Sequence, residues 1–414
     1  MKIFKFKGSK SIINRVLTIS YFLKKPLILH NINMCEDVKT MIENLKKLGM
    51  KFELEDNSLH VSPPSETPVS ADIFVQDAGT ALRFFIVLIA SLPYGNFSID
   101  ASEQLLKRPL QILIDALEDM NADIDFQSFP INIKSKGLRG GKIVLPSSIS
   151  SQFVSALMLC SPQYEEDLEI VLSGNIVSRK YIILTQKIMN DFGIKINFEN
   201  NIIHIAKGQK YKQLKEYFIE PDFSTASYFW ALSALSNKRI YTWNYISNQP
   251  DKCFPEILRK IGAEVKVDGN LISIKRNKLN GIIADMKDMP DQVPTLAVLA
   301  LLLKDETIIK NIEHLKYKES NRIDALINEI TKIGGRIKYD SGRLIIQPLS
   351  VEPSACIIES YDDHRIVMTF AFLSIIFPQI SISSKTCVEK SYPEFFDDLS
   401  QISLMLDIKI PHFN

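Results

Sequence analysis

The stretch Gly8-Ser9-Lys10-Ser11-Ile12-Ile13-Asn14-Arg15 places two hydroxyls, an ammonium and a guanidinium at the start of an apolar helical pattern, Val16, Leu17, Ile19, Phe22 and Leu23. Serine at 9 or 11 suits an N-cap, and the positive end of a helix gathers N–H groups that hold phosphate or carboxylate. The chemistry written there is anion binding, although an ordinary capped surface helix uses the same serines. Five further stretches repeat the design: Asp77-Ala78-Gly79-Thr80, Ser150-Ser151-Gln152, Pro221-Asp222-Phe223-Ser224, Pro290-Asp291-Gln292 and Asp362-Asp363-His364-Arg365. Each precedes an apolar helix, as in Phe153 to Cys160, Ala226 to Leu235, Leu296 to Leu303 and Ile366 to Ile376. Capping accounts for the serines, threonine and aspartates. It does not account for Lys10, Arg15, Gln152, His364 and Arg365.

The elements that must position these residues recur with a fixed step. A helix ends in a hydrophobic pair, often followed by glycine, and alternating residues then read as strand, turn and strand. The phrase appears at Leu48-Gly49-Met50, Met120-Asn121-Ala122, Phe192-Gly193-Ile194, Ile261-Gly262-Ala263 and Ile333-Gly334-Gly335, and in shortened form at Leu406-Asp407-Ile408-Lys409-Ile410. From Gly49 to Asp407 the steps are 72, 72, 69, 72 and 73 residues. Hairpin turns are expected at Glu55-Asp56-Asn57 and Val267-Asp268-Gly269-Asn270. The period exceeds that of the common solenoids, roughly 20 to 50 residues, so six copies point to closed pseudo-symmetric domains, three copies in each.

Composition narrows the partners. Forty-nine basic residues balance forty-eight acidic ones, so no global field draws nucleic acid or an anionic membrane and any anion site is built locally. The five cysteines (Cys35, Cys160, Cys253, Cys356, Cys387) are scattered and lack CxxC spacing, which reads as reduced packing residues rather than disulfides or a zinc site. The runs Phe84 to Leu92 and Leu296 to Leu303 fall short of the roughly twenty residues that span a bilayer, and no signal peptide is evident; a cytoplasmic location is expected.

Seven stretches in order, Gly8-Ser9-Lys10-Ser11 with Asn14-Arg15, Ala78-Gly79-Thr80-Ala81-Leu82-Arg83, Arg108-Pro109, Ser150-Ser151-Gln152-Phe153, Lys318-Glu319-Ser320 with Arg322, Asp363-His364-Arg365 and Lys390-Ser391-Tyr392-Pro393, make the whole chain resemble the 5-enolpyruvylshikimate-3-phosphate synthase family. The resemblance implies an α/β (α+β) fold, a two-domain inside-out α/β barrel with three βαβαββ repeats per domain. Its crossover assigns residues 9–221 to one domain and 1–8 with 222–414 to the other. It implies transfer of the enolpyruvyl group of phosphoenolpyruvate to the 5-hydroxyl of shikimate 3-phosphate, with release of phosphate, no cofactor and no metal, in a monomer that engages neither nucleic acid nor membrane.

Residue by residue, the resemblance assigns phosphoenolpyruvate to Lys10, Gly79, Arg108, Gln152, Arg322, Arg365 and Lys390. Shikimate 3-phosphate falls to Lys10, Ser11, Arg15, Ser150, Ser151, Gln152, Ser178, Tyr181, Asp291 and Lys318. It makes Asp291 the base, Glu319 the acid and His364 a proton partner, and it makes glyphosate a competitor of phosphoenolpyruvate. Two phosphates and two carboxylates in one cleft of a neutral protein do require local cations, and arginine suits planar anions. Read without the family, Asp291 and Ser178 are helix caps. Four positions depart from the pattern: Asp77 for Asn, Phe84 for Pro, His314 for Asn and Asn321 for Asp. Two other readings stay open, a non-catalytic sensor of a phosphorylated metabolite and an enolpyruvyl transferase acting on a UDP-sugar; the reactive cysteine of the latter has no counterpart before Arg108-Pro109.

Overall fold

The computed structural model describes residues 3–146, 150–174, 176–243 and 246–408. The chain divides into two compact units, one Gly8–Glu220 and the other Met1–Lys7 with Pro221–Asn414.

In the unit Gly8–Glu220, three sheets share one topology. Leu27–His30 runs parallel to Glu216–Phe218 and antiparallel to Ser58–Ser62, which pairs in turn with Lys51–Glu55. Gly95–Asp100 pairs in the same way with Ser70–Phe74, Ile131–Ser135 and, through the latter, Asp123–Asp125. Leu168–Ser173 does so with Gly141–Pro146, Ile202–Ile205 and Asn197–Glu199. The first sheet takes its edge strand from the far end of the unit, so the three repeats close on themselves. Strict alternation, as in Ile131–Ser135 where Ile131, Ile133 and Ser135 are buried, turns one face of each sheet inward.

Three helices fill the space inside: α1 (Lys10–Tyr21), α2 (Gly79–Ala90) and α3 (Ser151–Cys160), each packed on the other two. The sequence of α2 is apolar nearly all round, the signature of a helix buried on every side, and α1 is buried from Ile12 to Tyr21 although it carries Asn14, Arg15, Thr18 and Ser20. Phe84 to Ile89 are fully buried. The outer helices Glu36–Lys47, Gln111–Asp119 and Arg179–Asp191 bury one stripe only.

The unit that carries Pro221–Asn414 repeats the plan. Ile240–Trp243 lies parallel to Ile3–Phe4 and antiparallel to Leu271–Lys275, which pairs with Glu264–Asp268. Thr307–Lys310 does likewise with Ile283–Asp285, Arg343–Gln347 and, beyond it, Arg336–Asp340. Among the described residues the third sheet is the parallel pair Cys356–Ile358 and Ile380–Ile382. The inner helices are α4 (Phe223–Leu235), α5 (Val293–Ala300) and α6 (His364–Ile376), again mutually packed and buried.

The repeated helix endings are real caps. Gly262 follows its helix at φ 109°, where a Cβ would lie 1.9 Å from the carbonyl oxygen of Lys278, and Asn121 takes the same left-handed role at φ 70°. Both expected hairpins form. Of the shortened sixth phrase, Lys409 and Ile410 lie outside the described residues.

Candidate active site

In the unit Gly8–Glu220 a hydrogen bond joins the starts of α2 and α3 and Arg15 of α1 reaches α3, while in the other unit Arg365 of α6 meets Asp291 ahead of α5 and Tyr228 of α4. In the unit Gly8–Glu220, Ser9 occupies the N-cap position of α1 with extended backbone, but its side chain makes no cap bond, contrary to the expectation from sequence. Its carbonyl takes the N–H groups of Ile12 and Ile13 instead. Gly8 is glycine for want of room: a Cβ would stand 2.1 Å from the carbonyl oxygen of Asn31.

Lys10 Nζ donates to Asp37 Oδ2 at 2.7 Å in a mostly buried pair. Arg15 is buried, its Nε donating to Thr185 Oγ1 (2.7 Å), Nη1 to the carbonyl of Ser11 (2.7 Å) and Nη2 to Ser155 Oγ (3.2 Å). Burial pushes the Arg15 guanidinium down to about 10, against the pull of nearby Tyr181. Ser178 precedes its helix in the left-handed conformation at φ 56° and does not cap it through its side chain, while its carbonyl receives the N–H of Tyr181.

Around Gly79 two buried arginines converge. Arg83 Nη1 donates to the Gly79 carbonyl at 2.9 Å, and a Cβ on Gly79 would meet Arg108 Nη1 at 2.6 Å and Arg83 Nη1 at 2.9 Å. Asp77, the departure that placed a carboxylate beside this cluster, accepts from Ser102 Oγ. On α3, Ser150 Oγ caps the helix by accepting from Gln152 N (3.2 Å), and Gln152 Nε2 donates to Thr80 Oγ1 (3.0 Å), which ties the start of α3 to that of α2. Ser151 is buried beside them. Lys10, Ser11 and Arg15 thus share α1, Gln152 meets Thr80, and Arg108 meets Gly79.

In the other unit the centre is Arg322, 1% exposed. Its guanidinium holds three carboxylates: Nη1 to Asp291 Oδ1 at 2.9 Å, Nη2 to Glu319 Oε2 at 2.5 Å, and Nε to Asp363 Oδ2 at 2.8 Å. Burial alone would lower its pKa, but Asp363, Glu319 and Asp291 outweigh it and raise it above the ordinary arginine value. Arg365, on the first turn of α6, reaches Asp291 Oδ2 (3.3 Å) and the hydroxyl of Tyr228 (3.2 Å). Asp363 caps α6 through Arg365 N (2.9 Å) and accepts from Ser320 Oγ.

Asp291 is not the N-cap its local sequence offered. The chain makes a 3-10 turn at Pro290–Gln292, Gln292 takes the cap position of α5, and the carboxylate goes to the two arginines. Burial would raise the Asp291 carboxyl, yet Arg365, Lys318 and Arg322 together hold it below the usual carboxylate range. His314 is buried near the same charges; burial first, then Lys318 and Arg322, bring its imidazole down to about 3 against the opposite pull of Asp291. His364 is buried at the start of α6, and Lys390 lies with Asp363 close to the thiol of Cys387. Asn321 caps the helix Arg322–Lys332 by accepting from Asp324 N.

Sequence reasoning missed the residues that aim these groups: Asp37 for Lys10, Thr185 and Ser155 for Arg15, Thr80 for Gln152, Tyr228 for Arg365. It quoted Asp363 without assigning it a role. Only Asp37, beside Glu36 in the first turn of a helix, carried a visible signal.

Buried cations set on helix starts in both units, with carboxylates gathered on the arginines of one, define an enzyme that handles small multiply charged anions. The chain matches the EPSP synthase (3-phosphoshikimate 1-carboxyvinyltransferase) family profile over residues 2–399. A 3-phosphoshikimate 1-carboxyvinyltransferase of Pasteurella multocida is 33% identical across 96% of this chain and 94% of that protein. One from Mannheimia succiniciproducens is 34% identical across 96% and 95%. In solved structures the fold is that of an EPSP synthase from Acinetobacter baumannii, with a TM-score of 0.79 at 20% identity, covering 99% of this chain and 97% of the other. The chain belongs to the EPSP synthase family and is a transferase of the enolpyruvyl type. No helix among the described residues is long and apolar enough to cross a membrane.

Proposed function

We propose that the chain moves the enolpyruvyl group of phosphoenolpyruvate onto the 5-hydroxyl of shikimate 3-phosphate through the residues just described. The observation that carries these roles is Arg322 holding Asp291, Glu319 and Asp363 at once. Asp291 accepts the hydroxyl proton as the oxygen attacks C2, and Glu319 protonates C3, giving a tetrahedral adduct. Loss of a proton from C3 then accompanies cleavage of the C2–O bond to phosphate. Each proton transfer is worth about 10² to 10⁴ in rate.

Held by two arginines, Asp291 is ionised but weakly basic. Anionic substrates that draw Arg322 and Arg365 toward themselves raise its basicity and release Glu319 from Arg322, so substrate binding itself prepares both groups. Lys10, Arg108, Gln152, Arg322, Arg365 and Lys390, with the backbone at Gly79, take phosphoenolpyruvate. Lys10, Ser11, Arg15, Ser150, Ser151, Gln152, Ser178, Tyr181, Asp291 and Lys318 take shikimate 3-phosphate, and His364 relays a proton. The compact units, Gly8–Glu220 and Met1–Lys7 with Pro221–Asn414, support assigning 9–221 to one domain and 1–8 with 222–414 to the other. The same reading makes the protein a cytoplasmic monomer that binds no nucleic acid, checked by its elution at 47.1 kDa, with glyphosate competing against phosphoenolpyruvate.

The test is phosphate release with each substrate omitted in turn and Asp291→Ala alongside. Release that needs both substrates and falls at least about a hundredfold in the variant supports the roles. Binding of shikimate 3-phosphate without release would favour the sensor.

A further inference from the structure

The guanidinium of Arg15 is fixed in its own plane by Thr185, Ser155 and the carbonyl of Ser11. The two hydroxyls are themselves 2.8 Å apart, and Thr185 donates onward to the carbonyl of Tyr181 at 2.9 Å, so the frame is rigid. A guanidinium has five N–H bonds, and these contacts commit three, leaving two for an anion. An aromatic ring lies beside that frame. The central carbon of Arg15 stands 5.7 Å over the centre of the Phe84 ring, a fully buried side chain of α2.

Phe84 is one of the four departures from the family pattern, in which proline follows the arginine. A proline ring has no π face. Here the buried cation, already weakened by desolvation, rests on the electron-rich side of an aromatic ring, an attraction that grows as water is excluded. The neighbouring helix repeats the pairing: Arg83 stands 6.0 Å over the ring of Phe153 at the start of α3.

We propose that Phe84 is a positioning residue for substrate binding, its ring face carrying the Arg15 cation and fixing the plane in which Arg15 meets the phosphorylated ring substrate. This rests on the assignment of Arg15 to shikimate 3-phosphate given above. A positioning role through the π face differs from simple space filling, because it depends on the ring's electrons as well as its volume.

That difference sets the experiment. Phe84 is replaced in the full-length protein by 4-fluoro-, 3,5-difluoro- and pentafluorophenylalanine, which keep the ring close to its size while withdrawing charge from its face. Calorimetry gives the Kd for shikimate 3-phosphate, and steady-state rates give the KM for phosphoenolpyruvate. The Kd is expected to rise stepwise with fluorination, reaching roughly three- to tenfold at the pentafluoro ring. The KM for phosphoenolpyruvate should stay within about twofold. A flat series, or an equal rise for both substrates, overturns the proposal. Arg15→Gln separates the causes. If that variant weakens shikimate 3-phosphate roughly tenfold or more while the fluorine series is flat, the site stands and the role of Phe84 falls. If Arg15→Gln leaves the Kd unchanged, the site assignment fails and takes this proposal with it.

Discussion

His314 makes the acid stability of its unit predictable. The imidazole is 3% exposed, and both its nitrogens are buried without a hydrogen-bond partner among the described residues. Burial, Lys318 and Arg322 bring it down to about 3, whereas the unfolded chain titrates near the ordinary 6.5. The folded state therefore binds its proton later than the unfolded state as pH falls. Its contribution to stability is full above pH 6.5 and drains away between 6.5 and 3. At pH 4.5 the unfolded histidine is almost wholly protonated and the folded one is not, about two pH units of difference, which amounts to about 3 kcal/mol. At pH 7.5 the same term is below about 0.1 kcal/mol.

His314→Asn removes that term. Relative to the parent, the variant should gain about 3 kcal/mol between pH 7.5 and pH 4.5, whatever its stability at neutral pH. Urea unfolding followed by tryptophan fluorescence reads the right unit, because both tryptophans, Trp230 and Trp243, belong to the unit that holds His314. Parallel losses of stability in parent and variant on acidification would refute the reasoning. They would mean that the folded protein protonates His314 at the ordinary pH, and that a carboxylate such as Asp291 dominates its surroundings.

Three further outcomes follow from the same geometry. Arg322→Ala leaves Asp291, Glu319 and Asp363 facing one another, so it should cost about 3 to 5 kcal/mol at pH 7.5. Part of that loss should return at pH 4.5 as the carboxylates protonate, and an equal deficit at both values on urea titration would contradict it. Gly79→Ala sets a Cβ against the guanidinium ends of Arg108 and Arg83, which must shift to admit it. It should raise the KM for phosphoenolpyruvate roughly tenfold with the melting temperature little changed; an equal rise for shikimate 3-phosphate would move Arg108 out of its assigned role. Asp251, buried and bonded to Ser224 Oγ at 2.5 Å, has its carboxyl pushed up to about 6, first by burial and then by Asp291, against Ser224, Arg365 and Gln292. Its stability contribution is present below the unfolded value near 3.9 and lost as pH rises through 6, so Asp251→Asn should stabilise by about 3 kcal/mol at pH 7.5 and by little at pH 4. The reverse order in paired melts at those two values would rule this out.

What could be seen beforehand was what local pattern dictates. The step of about 72 residues was legible because five of the six repeats end their helix on a residue that turns left-handed, as Gly262 and Asn121 do. The inner helices were legible because sequences such as Phe84 to Ile89 have no polar face to give to water. Asp291 shows where this kind of inference stops. Local spacing made it a cap, but its carboxylate answers to Arg322 and Arg365, 31 and 74 residues away, and charge–charge attraction in a buried site exceeds the roughly 1 kcal/mol a cap supplies. Tyr228, Ser155 and Thr185 were hidden for the opposite reason. Each lies within a helix where a hydroxyl reads as a minor interruption of an apolar stretch, and only the packing of helices distant in sequence reveals that the interruption faces an arginine. The cations of such a site are therefore visible one at a time in a sequence. The groups that aim them are not, because aiming is a property of the contact between repeats and each repeat records only its own half.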